Sequence, residues 1–171
     1  SKMKKKVVFI IAHTKFRDEE LLEPKKILKE NGVNITIASS SLKIAEGMLG
    51  IKIQPDILIK DIKVENYDAI IFIGGTGASE YWNNKTAHYI ASETLEKNKI
   101  LAAICIAPIT IANAGLLIGK KATVYQSEIN KIKDKKAIYT DSKVERDGNI
   151  ITAQDPSSAN EFGKAILSAI K

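Results

Sequence analysis

Continuous apolar runs alternate with helical periodicities along the whole chain. Val7–Ala12 (VVFIIA) is an unbroken run rich in branched side chains, the pattern of a strand covered on both faces. Asp18–Asn31 follows with Leu21, Leu22, Ile27 and Leu28 on one helical face and Gly32 placed to end the helix. Pro24 lies inside that stretch, so the pattern predicts a helix that begins near Glu23 or is kinked there. Val33, Ile35 and Ile37 alternate with polar residues and predict a second strand. Residues 39–62 carry alternating isoleucines broken by Gly47, Gly50 and Pro55, which reads as a short hairpin or β-arm. Ala69–Ile73 (AIIFI) and Ile100–Ile104 (ILAAI) are further buried strands, separated by a helix from about Thr86 to Asn98. An apolar helix over Pro108–Ala114 closes at Gly115, and short strands at Thr123–Tyr125 and Ala137–Thr140 flank a lysine-rich helix. Val144–Ala153 reads as a hairpin turning at Asp147-Gly148, and Ala159–Ile170 as a final amphipathic helix. Strands alternating with helices predict an α/β three-layer sandwich, a mostly parallel sheet with helices on both faces. Ligands in such sheets bind outside the carboxyl ends of the strands, which directs attention to the residues after Ala12, Ile73 and Ile104.

Composition narrows the classes. The 171 residues are 44% hydrophobic and 27% charged, with few Gly and Pro, which excludes disordered and fibrous chains and suits a single domain over residues 3–171. The longest apolar stretch, Ile100–Pro108, is half the roughly 18 residues a membrane helix needs. The basic start (Ser1 to Lys6) has no cleavage site after its short apolar run, so no signal peptide is expected. Net charge is +6, but only Arg17 and Arg146 among the 26 cations are arginines, and the lysines are scattered as a solvated surface would scatter them. No specific nucleic-acid partner and no membrane are expected. Cys105 is the single cysteine, which excludes an intramolecular disulfide and points to a cytoplasmic location. One cysteine and two distant histidines, His13 and His88, do not make a metal site.

Most familiar motifs fail. Gly75-Thr76-Gly77 begins a dinucleotide fingerprint but lacks its third glycine and does not follow the first strand. Gly119-Lys120 lacks the leading glycine of a phosphate loop, and Lys121 stands where a hydroxyl must hold magnesium. No serine elbow exists for a Ser-His-Asp triad, and Glu19/Glu20 on their own read as a solvated helix start. No cofactor is expected. The informative unit runs from Ile100 through Cys105 and Pro108 to Gly115. A buried strand stops and a helix begins within about two residues, with the cysteine at the corner. Unpaired helix N–H groups beside the sulfur would favour thiolate and depress its pKa. The same residue also reads as a small core hydrophobe between Ile104 and Ile106, and spacing alone leaves both readings open.

Three segments in order carry a resemblance: the Cys105 corner, the Gly74-Gly75 turn after AIIFI, and Phe16-Arg-Asp-Glu-Glu20-Leu-Leu-Glu-Pro24. Together, and down to Asp147-Gly148-Asn149, the chain resembles the ThiJ/PfpI superfamily, which includes the parkinsonism-associated deglycase and the PfpI-type intracellular proteases. The resemblance implies a flavodoxin-like, class I glutamine amidotransferase-like fold. It assigns Cys105 as nucleophile and Glu20 as the acid beside the sulfur, with the Gly75 and Ile106 amides as oxyanion donors. It also points to a pocket near Gly74, Tyr125, Glu80 and His13. Tyr125 falls where some relatives place a histidine. Glu80 falls near an acid that PfpI-type proteases contribute across a subunit interface, in a loop one residue longer. Protease-type members have His directly after the nucleophile, whereas this chain has Ile106, and a Cys-His dyad needs that imidazole. Tyr81 and Trp82 read as packing residues and His88 as a surface residue.

The resemblance therefore implies a cysteine-dependent stress enzyme acting on small aldehydes or glycated proteins, of glyoxalase or deglycase type. A redox-responsive or chaperone-like protein, with Cys105 oxidised to sulfinate, is the alternative, and a peptidase the third. Homo-oligomers, a dimer at least, are expected by the same resemblance.

Overall fold

The computed structural model describes residues 4–171; Ser1–Met3, and with them the residue at which the expected domain begins, lie outside the described residues. The first half of the chain forms β1 (Lys6–Ile10), β2 (Thr14–Phe16), α1 (Asp18–Glu30), β3 (Asn34–Ser39), β4 (Ala45–Gly47), β5 (Lys52–Ile53) and β6 (Ile57–Leu58). Then come β7 (Ala69–Phe72), α2 (Lys85–Glu96), β8 (Ile100–Ile104), α3 (Pro108–Asn113), β9 (Lys121–Ala122) and α4 (Ile129–Asp134). The chain closes with β10 (Ile138–Tyr139), β11 (Val144–Asp147), β12 (Ile150–Ala153) and α5 (Ala159–Ile170).

One seven-stranded sheet, ordered β11-β12-β8-β7-β1-β3-β6, organises the chain. Every pairing in it is parallel except β11 with β12, the hairpin that turns at Gly148 with φ 61°. Strands buried on both faces need an apolar side chain at every position, which is why β1, β7 and β8 carry unbroken apolar runs. On one face α1 and α5 cover Val7, Phe9, Ile71 and Ala102; on the other α2, α3 and α4 cover Val8, Ile70, Phe72 and Leu101. The α/β sandwich is as the alternation of patterns predicts. None of the described helices is long and apolar enough to cross a membrane.

Two local expectations are corrected and a third is refined. Helix α1 starts at Asp18 and runs through Pro24. Asp18 and Glu19 favour the positive end of the helix, and the bond Pro24 withholds falls on the Glu20 carbonyl alone. The strand expected at Thr123–Tyr125 forms instead at Lys121–Ala122, pairing in parallel with β10, because the Tyr125 N–H turns to the Cys105 carbonyl at 2.9 Å. Residues 39–62 do contain a hairpin, β4–β5, but it leaves the main sheet and pairs with β2. The buried Asp18 carboxylate clamps that hairpin, accepting the Leu49 and Ile51 amides at 3.0 Å each.

Helices α1 and α5 pack closely because Gly163 has no side chain: a Cβ there would stand 2.8 Å from the Pro24 Cα. Gly163→Ala should therefore lower the urea midpoint by the equivalent of about 1–3 kcal/mol, overriding the helix-propensity gain of roughly 1 kcal/mol. An unchanged or raised midpoint would show that the two helices can part without penalty.

Candidate functional site

The sheet reverses its winding at β1, with β3 on one side and β7 on the other. The carboxyl ends of β1, β7 and β8 converge beside that point, and backbone bonds lock them together. The Arg17 N–H donates to the Gly74 carbonyl at 2.9 Å, joining the segment after β1 to the turn after β7. Cys105 follows β8 directly; its N–H donates to Ala153 at 3.0 Å and its carbonyl accepts from Tyr125. Pinned on both sides, Cys105 holds a left-handed φ of 66°, a conformation a non-glycine residue keeps only when its surroundings over-determine it.

Two glycines allow the close approach. A Cβ on Gly74 would overlap the Glu20 Oε1 and stand 2.7 Å from the Cys105 Cβ, so the acid and the cysteine crowd the same atom. Gly75, at φ 98°, lies against the backbone of Lys15–Arg17, where a Cβ has no room. The Gly75 and Ile106 amides favour the charged form of the Cys105 sulfur. Trp82 braces the turn after Cys105, its indole N–H donating to the Ile106 carbonyl at 3.2 Å while Lys131 lies 4.9 Å over its ring.

Glu20 is 0% exposed. Its Oε1 accepts the Gly74 N–H at 2.9 Å, and its buried Oε2 has no acceptable donor among the described residues. Burial raises this carboxyl from an ordinary 4.5 to about 8, against the pull of Cys105, the Gly74 amide and Arg17 toward the charged form. Cys105 is 7% exposed, and burial pushes its thiol up, with a charged Glu20 adding to the effect and the Gly75 and Ile106 amides opposing it. The depressed thiol expected from a helix start is corrected: α3 is only six residues long, and desolvation of the nearly buried sulfur outweighs the backbone donors. Below about pH 8 Glu20 is neutral, and its share of that upward push disappears.

The sulfur opens into a pocket of about 330 Å³, within the size range of small-molecule sites. Cys105, Glu20, Gly75, Ile106 and Tyr125 all line it, as do Arg17, Thr76, Met48 and Pro156. A larger groove of about 650 Å³ lies by β3 among Lys4, Lys25, Lys29 and Lys52, but it holds no candidate nucleophile.

A model of the DJ-1/PfpI family matches residues 5–169. The chain belongs to the DJ-1/PfpI family. An uncharacterized protein of Methanocaldococcus jannaschii is 43% identical over 97% of this chain and 82% of its own length. A Pyrococcus horikoshii protein named a deglycase is 28% identical over 97% of this chain and 99% of its own. Among solved structures, a ThiJ/PfpI domain protein of Brachyspira murdochii superposes with a TM-score of 0.95 at 27% identity, covering 98% of this chain and 97% of that one. Drosophila melanogaster DJ-1beta shares the fold, with a TM-score of 0.91 at 24% identity over 98% and 91% of the two chains.

Within this DJ-1/PfpI chain the residues expected from sequence do not all meet. Gly74 lies behind Glu20 rather than on the pocket wall. Glu80 and His13 are not among the lining residues; the Glu80 Oε2 accepts the His13 N–H at 2.8 Å instead. His88 is half-buried, with Nε2 2.8 Å from the Trp82 carbonyl. Tyr81 is buried, its hydroxyl donating to the Ile11 carbonyl at 2.8 Å. Arg17, Thr76, Met48 and Pro156 were not legible as pocket residues. Only the isolated arginine in a lysine-rich chain offered a signal.

The raised Glu20 carboxyl has a measurable consequence. Its proton stabilises the folded state fully below about pH 4.5, and that stability is lost as pH rises through about 8. Between those values wild-type protein should lose up to about 1.4 kcal/mol per pH unit relative to Glu20→Gln, read from urea unfolding across the range. Parallel pH profiles for the two proteins would mean that Glu20 is ionised in the fold. Gly74→Ala should slow Cys105 alkylation sharply by wedging the acid from the sulfur, seen as loss of label in the Cys105 peptide.

Proposed function

We propose that the protein is a cofactor-free cysteine enzyme that acts on small reactive carbonyls or glycated groups, in the glyoxalase or deglycase manner. The observation that carries the reading is the meeting of a sulfur, a proton-bearing carboxyl and two backbone donors on one small pocket. Relatives named deglycases, 26–28% identical over nearly the whole chain, support the class.

For a 1,2-dicarbonyl the sequence of steps follows from these groups. The Cys105 thiol loses its proton to solvent as its sulfur attacks the aldehyde carbon, forming an S–C bond while the carbonyl electrons move to oxygen. The Gly75 and Ile106 amides stabilise that oxygen, and Glu20 gives it a proton. Glu20, now a carboxylate, takes the carbon-bound proton and returns it to the neighbouring carbonyl carbon, while the hydroxyl proton of the adduct passes to that carbon's oxygen. The product is a 2-hydroxy thioester, which water cleaves to a hydroxy acid and free thiol. A neutral Glu20 suits this cycle because the group must first donate and then accept. Peptidase chemistry is the weaker reading: Ile106 follows the cysteine, and neither His13 nor His88 lines the pocket to protonate a leaving amine.

The same donors suit a sulfinate, and this favours a second reading in which Cys105 oxidation serves as a stress signal. Assembly into homo-oligomers is also proposed, supported by the exposed apolar side chains Leu22, Leu42, Ile44 and Leu49. The single thiol supports a reducing, cytoplasmic setting.

Wild-type protein should form lactate from methylglyoxal. Cys105→Ser should abolish the activity, and Glu20→Gln should reduce kcat by at least about a hundredfold. Absence of lactate with wild-type protein would reject the enzyme reading. Mild peroxide should then add two oxygens to Cys105, by intact and peptide mass, if the redox reading holds. Oxidation confined to Met3 or Met48 would reject that one too.

A further inference from the structure

We infer that Arg17 makes this pocket selective for carbonyl compounds that carry a carboxylate. The inference rests on Cys105 being the nucleophile proposed above.

Nearly every cation of the chain is a lysine on a solvated surface, yet the one cationic side chain lining the pocket, among the described residues, is an arginine. The difference matters, because a guanidinium presents a planar fork of donors that fits a carboxylate, whereas an ammonium is a point charge. Arg17 is held at both ends. Its N–H donates to the Gly74 carbonyl at 2.9 Å, and Gly75 packs against its backbone without room for a Cβ. It is therefore rigidly tied to the Gly74-Gly75 turn, which packs against the Cys105 side chain.

Its side chain is splinted as well. Glu19 accepts from Nε at 2.9 Å and from Nη2 at 3.0 Å, a bidentate pair that fixes the plane of the guanidinium. Two of the five N–H donors are thereby used, and the other three have no protein acceptor among the described residues. Arg17 is 29% exposed and lines the pocket; Glu19 is 38% exposed and does not. Glu20, uncharged at neutral pH, does not cancel that cation. A substrate bound with its reacting carbonyl at Cys105 and the Gly75 amide thus meets free guanidinium donors on the β1 side of the pocket. A carboxylate satisfies them; a methyl or amide group leaves them without an anionic acceptor.

Iodoacetate and iodoacetamide test this without requiring turnover. Each alkylates a thiolate by forming an S–CH2 bond and expelling iodide, and they differ in carrying a carboxylate or a neutral amide. The rate ratio of iodoacetate to iodoacetamide at Cys105, located by peptide mass, should exceed the ratio for glutathione by roughly tenfold. Iodoacetate should show saturation, and the excess should shrink as salt is raised. Arg17→Gln should bring the ratio down to that of the small thiol, and Arg17→Lys should keep only part of the excess. A wild-type ratio equal to that of glutathione, insensitive to salt, overturns the inference while leaving Cys105 a reactive nucleophile. Failure of both reagents to label Cys105 overturns the inference together with the reading it rests on. Because the wild-type ratio and its salt dependence decide the matter alone, the test survives a variant that does not fold.

Discussion

The wholly buried Glu20 carboxyl, wedged between the Gly74 amide and Cys105, is the constraint around which the pocket is built. A carboxylate enclosed in apolar surroundings with one amide donor is poorly compensated, so the group keeps its proton to about pH 8. That choice sets the character of the neighbouring sulfur. A charged Glu20 would push the thiol further up, whereas a neutral one offers it a proton donor. The pair therefore titrates as a unit, and the chemistry open to Cys105 depends on where one proton resides.

The fold supplies the rigidity this arrangement needs. Glu20 comes from the first turn of α1, Gly74 and Gly75 from the turn after β7, and Cys105 from the corner after β8. Only a sheet whose order places β1, β7 and β8 side by side brings these three ends to one spot. The left-handed backbone of Cys105 persists because the amides and carbonyls on both sides are already committed to Ala153 and Tyr125. Asp18, two residues before Glu20, reaches the other way and holds the β4–β5 hairpin, whose Met48 forms one wall of the pocket. One short segment, Arg17 to Glu20, thus anchors a loop, donates an acid and presents a cation.

The elements read most accurately from sequence are those in which local pattern and tertiary environment agree. Ile100–Ile104 and Ala159–Ile170 form over the residues their patterns predict, because a doubly buried strand and an amphipathic helix each imprint their surroundings on the residue order. The hairpin at Asp147-Gly148 is equally local. Thr123–Tyr125 misled because its apolar and aromatic residues serve the Cys105 carbonyl and the pocket wall rather than a ladder. Thr14–Phe16 went unread because its partner strand, β4, lies in a distant part of the chain.

The residue order alone settled the alternation of strands and helices and the single cysteine at a strand-to-helix corner, for these depend on neighbours in sequence. Family motifs then put Glu20 and Gly75 beside it. Only the tertiary structure decided that the thiol is raised rather than depressed, since desolvation is a property of the surrounding atoms and not of the chain's local order. It alone turned Glu80 toward His13 and brought Arg17 to the pocket wall, because bonds spanning tens of residues leave no periodic trace.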